Sequence, residues 1–393
     1  MVGGTLFCLV LFPLDECKKQ VVIKLMRFIE KQAMNAEVHF TIALAGHQNA
    51  PFLPKVLENI ARQTFTLFEV LCYVEESTDG SLELCRKFAR HDSRFQVISA
   101  PVSGTVASTR NYAIRHGRGE YLLAVDGDDW VAPDMLEQLM EKLSRTGSVD
   151  VLAFAARKML AFPNGEFHEC EKICNFQAEG DEVFSGLEMV MQKSRSHSKH
   201  LVNLTWLNLY RMEFLRQHQL YQHEGRIFED LDWFPRVCFF AQRFAVLDEV
   251  LYFYRVRPGS ITADFTSSPH FLDVPRQLRD GIAFAMDHWE PQEFWRVWAN
   301  IWITFLYWIL FHPVASRKLS DQTRRAALQI LLEKENAKAF RRFLTLVSWP
   351  KRLAFPWLKL GALGFLLPSK LYFRWFFYPL SYWRKKHYVQ SGS

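Results

Sequence analysis

The chain has 393 residues and 49% of them are hydrophobic, ample for the core of one large domain or two. Its seven cysteines (Cys8, Cys17, Cys72, Cys85, Cys170, Cys174 and Cys238) are odd in number and scattered, which argues for a reducing compartment and against a disulfide-held scaffold. The net charge of +6 is unevenly spread: from Arg341 onward there are ten Lys or Arg and no Asp or Glu, which leaves 38 basic against 42 acidic residues in a mildly acidic body.

Residues 1–37 carry no recognisable chemistry. Thr5 to Pro13 is apolar but short and has no basic residue before it, so it makes a poor signal peptide and is too short to span a bilayer. Cys17 to Met34 has the pattern of a helix, and the segment reads as an N-terminal appendage.

From residue 38 to about 265 strands and helices alternate. Val38 to Ala45 is an apolar run of strand length. Leu53, Val56, Leu57, Ile60 and Ala61 then mark one buried helical face, with Pro51 and Pro54 suited to its first turn. Phe68 to Val74 predicts a strand, Ser81 to Arg90 a helix, Phe95 to Ser99 a strand, and Thr105 to His116 a helix closed by Gly117. Tyr121 to Val125 is a short buried strand that runs into Asp126. A helix with Met135, Leu136, Leu139, Met140 and Leu143 on one face follows, and then a strand, Val149 to Ala155. This order predicts an α/β, Rossmann-like fold: a mostly parallel sheet covered by helices on both faces, with ligands beyond the carboxyl ends of the strands.

Those strand ends carry the polar residues. They read Ala45-Gly46-His47-Gln48, then Glu75-Glu76-Ser77-Thr78-Asp79-Gly80-Ser81, then Ser103-Gly104 leading to Thr109-Arg110-Asn111, then Asp126-Gly127-Asp128-Asp129. Strand side chains alternate, so Asp126 and Asp128 should leave on one side, while Gly127 permits a sharp turn and leaves room for a ligand. Two carboxylates held together repel, and a hard divalent cation, Mg²⁺ or Mn²⁺, relieves that repulsion and takes a diphosphate as a further ligand. An acid on this rim can hold a ribose hydroxyl, and Arg110 can balance either carboxylates or phosphate. His47, a lone histidine, reads as a rim or packing residue. Cys170 and Cys174 have C-x3-C spacing but no second pair, so ordinary thiols outweigh a zinc site.

Val74-Glu75-Glu76-Ser77-Thr78-Asp79-Gly80-Ser81, Thr109-Arg110-Asn111 and Asp126 to Asp129 resemble, in order and spacing, the V-D-D-G-S-T-D-G-S, A-R-N and D-x-D-D motifs of family 2 glycosyltransferases of the GT-A fold, the enzymes that build bacterial cell-surface polysaccharides. The likeness extends over about residues 38–145. Two positions depart from the family: Glu75-Glu76 replaces an Asp pair and Ala45 replaces a proline, both where the family holds the nucleoside. The resemblance implies a nucleotide-diphosphate sugar, with a UDP-sugar favoured, held by Ala45, His47, Glu76, Arg110, Asp126 and Gly127. It implies Mn²⁺ or Mg²⁺ on Asp128 and Asp126. In Arg226-Ile227-Phe228-Glu229-Asp230-Leu231 the family's E-D pair matches, and Asp230 takes the place of its general base. Leu251 to Thr262 is similar to the family's closing Y-x-Y-R and G-S-I segments; Tyr252 and Tyr254 fit strand packing, and Arg255 or Arg257 would reach the diphosphate.

Pro163 to Glu182 reads as a polar loop, an acceptor-side insertion or lid. Residues 266–393 predict a helical C-terminal region. Trp295 to Phe311 fits a core helix better than a membrane span, since its uninterrupted apolar part begins only at Ile301. From Leu346 on, aromatic residues interleave with Lys and Arg, and Lys359, Lys370, Arg374, Pro356, Pro368 and Pro379 interrupt every window long enough to span. Such a tail suits the headgroup layer of an anionic membrane, with nucleic acid disfavoured because nothing else in the chain supports it. The expected protein is a peripheral enzyme on the cytoplasmic face of the bacterial inner membrane, acting on a cell-surface glycan or lipid-linked acceptor. The alternatives are a degenerate, membrane-docked module that binds a sugar nucleotide or glycan without turnover, and a nucleotidyltransferase. The second ranks low because Ala45 to Pro54 contains no Lys or Arg to hold a triphosphate.

Overall fold

The computed structural model describes residues 38–161, 167–174, 176–178, 180–195, 204–256, 269–311 and 319–347. The N-terminal appendage, residues 257–268 with Arg257, and the tail beyond Val347 lie outside them.

The first half follows the sequence pattern. Strands β1 (Phe40–Gly46), β2 (Phe68–Glu75), β3 (Phe95–Ala100) and β4 (Tyr121–Asp126) alternate with helices α1 (Leu53–Ala61), α2 (Ser81–Ala89) and α3 (Ala107–His116). They pair in parallel in the order β3-β2-β1-β4. The register makes the ligand rim flush: Ala45 of β1 lies beside Asp126 of β4, and Gly46 beside Val74 of β2. Residues that follow these three strands therefore emerge at one level.

Beyond β4 the sheet departs from the mostly parallel expectation. Strand β5 is the two residues Trp130–Val131, α4 is Met135–Thr146, β6 is Val151–Ala161 and β7 is Phe167–Ile173. After α5 (Gly186–Arg195) come β8 (Asn208–Arg211), α6 (Met212–Gln217), α7 (Asp230–Phe240) and β9 (Phe244–Val256). The order continues β4-β8-β6-β9-β5, with β7 on β6. β8 runs antiparallel to both β4 and β6, and β5 and β7 are antiparallel to their partners; only β6 and β9 pair in parallel. β8 is four residues long and has no periodicity for a sequence reading to detect; its neighbours on both sides supply the pairing. β7 occupies ground expected to be loop. Its sequence, FHECEKI, is polar because it sits at the side of the sheet with most side chains in water.

Two cores flank the sheet. On one face Leu53, Val56, Leu57 and Ile60 of α1 and Met135, Leu136, Leu139 and Leu143 of α4 are buried, as their spacing predicts. On the other face α3, α5, α6 and α7 share a continuous apolar core with the C-terminal helices α8 (Asp273–Asp287), α9 (Gln292–Phe311), α10 (Asp321–Leu332) and α11 (Lys334–Leu344). Trp295, Trp298 and Trp302 of α9 are fully buried at spacings of three and four. Gly281 of α8 admits them: a Cβ there would lie 2.6 Å from the Trp302 ring. α9 is thus a core helix, and no helix among the described residues is long and apolar enough to cross a membrane.

Candidate active site

The apolar residues of β4 are buried up to Val125, and the chain then turns through Asp126-Gly127-Asp128-Asp129, with the Asp129 N–H donating to the Asp126 carbonyl at 3.1 Å. Glycine is required inside this turn. A Cβ on Gly127 would sit 2.4 Å from the Ala45 carbonyl and 2.6 Å from the Asn49 side-chain amide. The turn separates the three carboxylates. Asp126 and Asp128 remain partly exposed at the rim, whereas Asp129 is buried, 1% exposed. Burial pushes the Asp129 carboxyl well up, and the charges of Asp126 and Asp128 push it further.

Asp129 is the anchor of the turn. It accepts the Tyr252 hydroxyl at 2.7 Å and the Arg255 backbone N–H at 2.8 Å, both from β9. The same Tyr252 oxygen accepts the Asp126 N–H at 3.1 Å. Tyr252, which reads in sequence as a packing residue, does pack, stacking on Trp206 with ring centroids 4.5 Å apart, but its hydroxyl also ties β9 to the acidic turn. Arg255 donates through Nε to the Asp128 carbonyl at 2.6 Å, and its guanidinium lies 4.7–5.1 Å from the ring centroids of Phe52, Trp130 and Phe167. In this arrangement Arg255 holds the backbone of the turn. Tyr252→Phe leaves Asp129 buried with one donor fewer, an expected destabilisation of about 1–3 kcal/mol. It should appear as a lower urea midpoint at an unchanged slope.

Of the two partners that charge allows Arg110, carboxylate or phosphate, the structure shows carboxylates. Arg110 is 4% exposed on α3 and forms a close ion pair with Glu229, a contact with Asp126 at 3.7 Å and a hydrogen bond to Gln222 at 3.5 Å. Burial alone would lower its pKa; Glu229, Asp126 and Asp230 together more than reverse that, so it stays charged. The Asp126 carboxyl is pushed up to about 6 by burial; Arg110 opposes this, and Asp128 and Glu229 add to it. Asp230 opens α7 beside Glu229. Burial pushes its carboxyl well up, the Glu229 charge adds to this, and Arg110 opposes it. Phe228, just before this pair, holds φ at +56°, a left-handed conformation that a bulky residue adopts only at an energetic cost of about 1–3 kcal/mol.

The remaining rim residues divide. Ala45 lies partly buried beside Asp126, and His47 is exposed. Glu76 is exposed on the rim, whereas Glu75 is buried and accepts the Ser103 hydroxyl and the Gly104 N–H, the latter at 3.2 Å. Asp79 accepts the Ala50 N–H at 2.8 Å and the Ser81 N–H at 3.0 Å, joining the loop after β1 to the start of α2. Burial works against its charge, but these donors outweigh it and hold the carboxyl below the usual range. Asp79, Asp129, Glu229 and Asn111 stand within the motifs read from the sequence, but none of them was given a role of its own there. Asp79 also carried a local signal, its position ahead of Gly80-Ser81 at a helix start. Cys170 and Cys174 are free and partly exposed.

No group of three or more His, Cys, Asp or Glu among the described residues forms a closed metal cage. Asp126 and Asp128 offer two hard oxygen donors on an open rim. That donor set suits Mg²⁺ or Mn²⁺, which are held by one or two carboxylates and complete their shell with water and phosphate oxygens.

Residues 41–225 match the model of the family described as "Glycosyl transferase family 2". The "Uncharacterized glycosyltransferase EpsJ" of Bacillus subtilis is 30% identical over 213 residues, 54% of this chain and 59% of EpsJ. The chain therefore spans less than two thirds of that relative. The cholesterol galactosyltransferase of Borreliella burgdorferi is 24% identical over 289 residues, 72% of this chain and 78% of that protein. Among solved structures, S. aureus TarS 1–349 in complex with UDP-GlcNAc superposes with a TM-score of 0.67 at 21% identity, covering 86% of this chain and 92% of the TarS chain. The family match begins within β1 and ends just short of α7, so it takes in Arg110 and the carboxylates of the acidic turn but not Glu229 or Asp230: residues 41–225 are similar to glycosyl transferase family 2, and the fold is that of its GT-A neighbours.

Proposed function

We propose that the protein is a metal-dependent, inverting glycosyltransferase that moves a sugar from a nucleotide-diphosphate donor, a UDP-sugar by preference, to a hydroxyl of a cell-surface glycan or lipid-linked acceptor. One observation carries the reading. The buried Arg110 guanidinium contacts both Asp126, at the end of β4, and Glu229, next to Asp230. The carboxylate that would hold the diphosphate's metal ion and the neighbour of the proposed base are thereby tied to one guanidinium.

Each side chain has a distinct task. Ala45, His47 and Glu76 line the rim where the nucleoside would lie, and Gly127 lets the acidic turn close against Ala45 and Asn49 beside it. Asp126 and Asp128 would hold the cation, which when bound supplies charge neutralisation to the departing diphosphate. Asp230 accepts the proton of the acceptor hydroxyl as its oxygen bonds to the anomeric carbon and the bond from that carbon to the diphosphate oxygen breaks. A carboxyl raised by burial is the stronger base for this step once ionised. Direct displacement inverts the anomeric centre. The UDP preference draws on TarS, crystallised with UDP and with UDP-GlcNAc. The basic aromatic tail would dock the enzyme peripherally on the cytoplasmic face of the membrane, beside a lipid-linked acceptor.

The test is calorimetric titration of UDP, GDP and CDP into the full chain with Mn²⁺, with EDTA, and with Asp128→Ala. Binding of one nucleotide that needs Mn²⁺ and is lost in the variant is the expected result. No binding of any of the three in Mn²⁺ would sink the proposal. Binding of UDP that ignores EDTA and the variant would remove the metal from it.

A further inference from the structure

The loop between α6 and α7 is built against resistance. Gln219, Gly225 and Phe228 all have positive φ, +51°, +73° and +56°, within ten residues. Such a segment keeps one conformation only where its surroundings impose it, and this one ends at Glu229 and Asp230.

What holds it is one face of α3. Asn111 is 1% exposed. Its Nδ2 donates to the Gln222 carbonyl at 2.8 Å and to Glu224 Oε1 at 2.8 Å, and its Oδ1 accepts the Gln222 N–H at 2.9 Å. The side-chain amide thus pairs with the Gln222 backbone in both directions, as a neighbouring strand would. Ser108 and Arg115, three residues before and four after on the same helix face, each reach Glu224 at 3.3 Å. Thr105, just ahead of the helix, accepts the Gly225 N–H at 3.3 Å. Asn111 and Arg110 are consecutive, and they grip the loop at two points: Asn111 takes Gln222, and Arg110 takes Glu229 at its end. A neutral amide suits the first position because it must donate twice and accept once; aspartate offers only acceptors and alanine offers nothing.

We propose that Asn111 is a positioning residue for Asp230, fixing through Gln222 the loop from which α7 begins and hence the direction in which the carboxylate meets the acceptor. The inference rests on the transferase reading above. Asn111 touches neither donor nor acceptor in this account; it acts through the loop.

The experiment compares the full-length wild type with Asn111→Ala, Asn111→Asp and the pair Asn111→Asp with Glu224→Gln. Three quantities are measured: amide hydrogen exchange across residues 219–231, UDP affinity by calorimetry in Mn²⁺, and kcat and KM for a UDP-sugar that the wild type turns over. Both single variants should speed exchange in 219–231 and lower kcat by on the order of 10²-fold, with UDP affinity and donor KM unchanged. Adding Glu224→Gln should restore part of kcat, because the new amide donates to the carboxylate at position 111. A parallel loss of UDP affinity would mark general damage and overturn the proposal. So would faster exchange at full kcat. Wild-type protein that transfers no sugar would overturn the function itself; a turning-over wild type whose variants keep full kcat would overturn this inference alone.

Discussion

Asp230→Asn is expected to lower kcat by about 10²–10⁴-fold while leaving nucleotide affinity unchanged. The substitution keeps shape and hydrogen-bonding reach but removes the proton acceptor. Asp230 opens α7, where its carboxyl is pushed up chiefly by burial. Removing a carboxyl whose charged form burial disfavours should leave the fold no less stable, so urea denaturation of the variant should match or exceed that of the wild type. The measurement is steady-state kinetics beside calorimetric titration of UDP. Full activity in the variant would mean that another group takes the proton. A loss confined to UDP affinity would place Asp230 on the donor side.

Arg110→Met is expected to be the most damaging single change in stability, about 3–5 kcal/mol, because it leaves the buried Glu229 carboxylate without its cation. Glu229 is 7% exposed and its carboxylate faces the Arg110 guanidinium. Asp126 and Asp230 would also lose the charge that opposes their upward shifts. Chemical denaturation should show the loss as a reduced midpoint. Adding Glu229→Gln should recover most of it, since the second change removes the charge left uncompensated, while catalytic activity should not return. Recovery of activity along with stability would show that Arg110 supports the fold and nothing more. A single variant as stable as the wild type would contradict the buried ion pair itself.

The sheet's first half was readable from local pattern because each element there carries its own period. β1 to β4 are apolar runs bounded by turn residues, and α1 and α4 each show four buried apolar positions at helical spacing. The second half was not readable in the same way. β8 is four residues whose direction is set by β4 and β6, which are far from it in sequence. β7 looks like a loop because a strand at the side of a sheet is selected for charge rather than for apolar alternation.

The candidate site divides along the same line. The sequence by itself determined which chemistry stands at the strand ends: carboxylates around Gly127, an E-D pair farther along, and Arg110 and Asn111 between them. Order and spacing along the chain suffice for that, since a strand's end delivers its next residues to the rim. Only the tertiary structure decided what each of these residues does. It turned Asp129 inward to Tyr252, aimed Arg110 at carboxylates, set Arg255 against the backbone of Asp128, and made Asn111 a partner for Gln222. These are pairings across 111 to 127 positions of sequence. The physical reason is that a buried charge or amide must find a partner wherever the fold brings one within reach. Which partner that is depends on packing between elements, and local sequence carries no record of it.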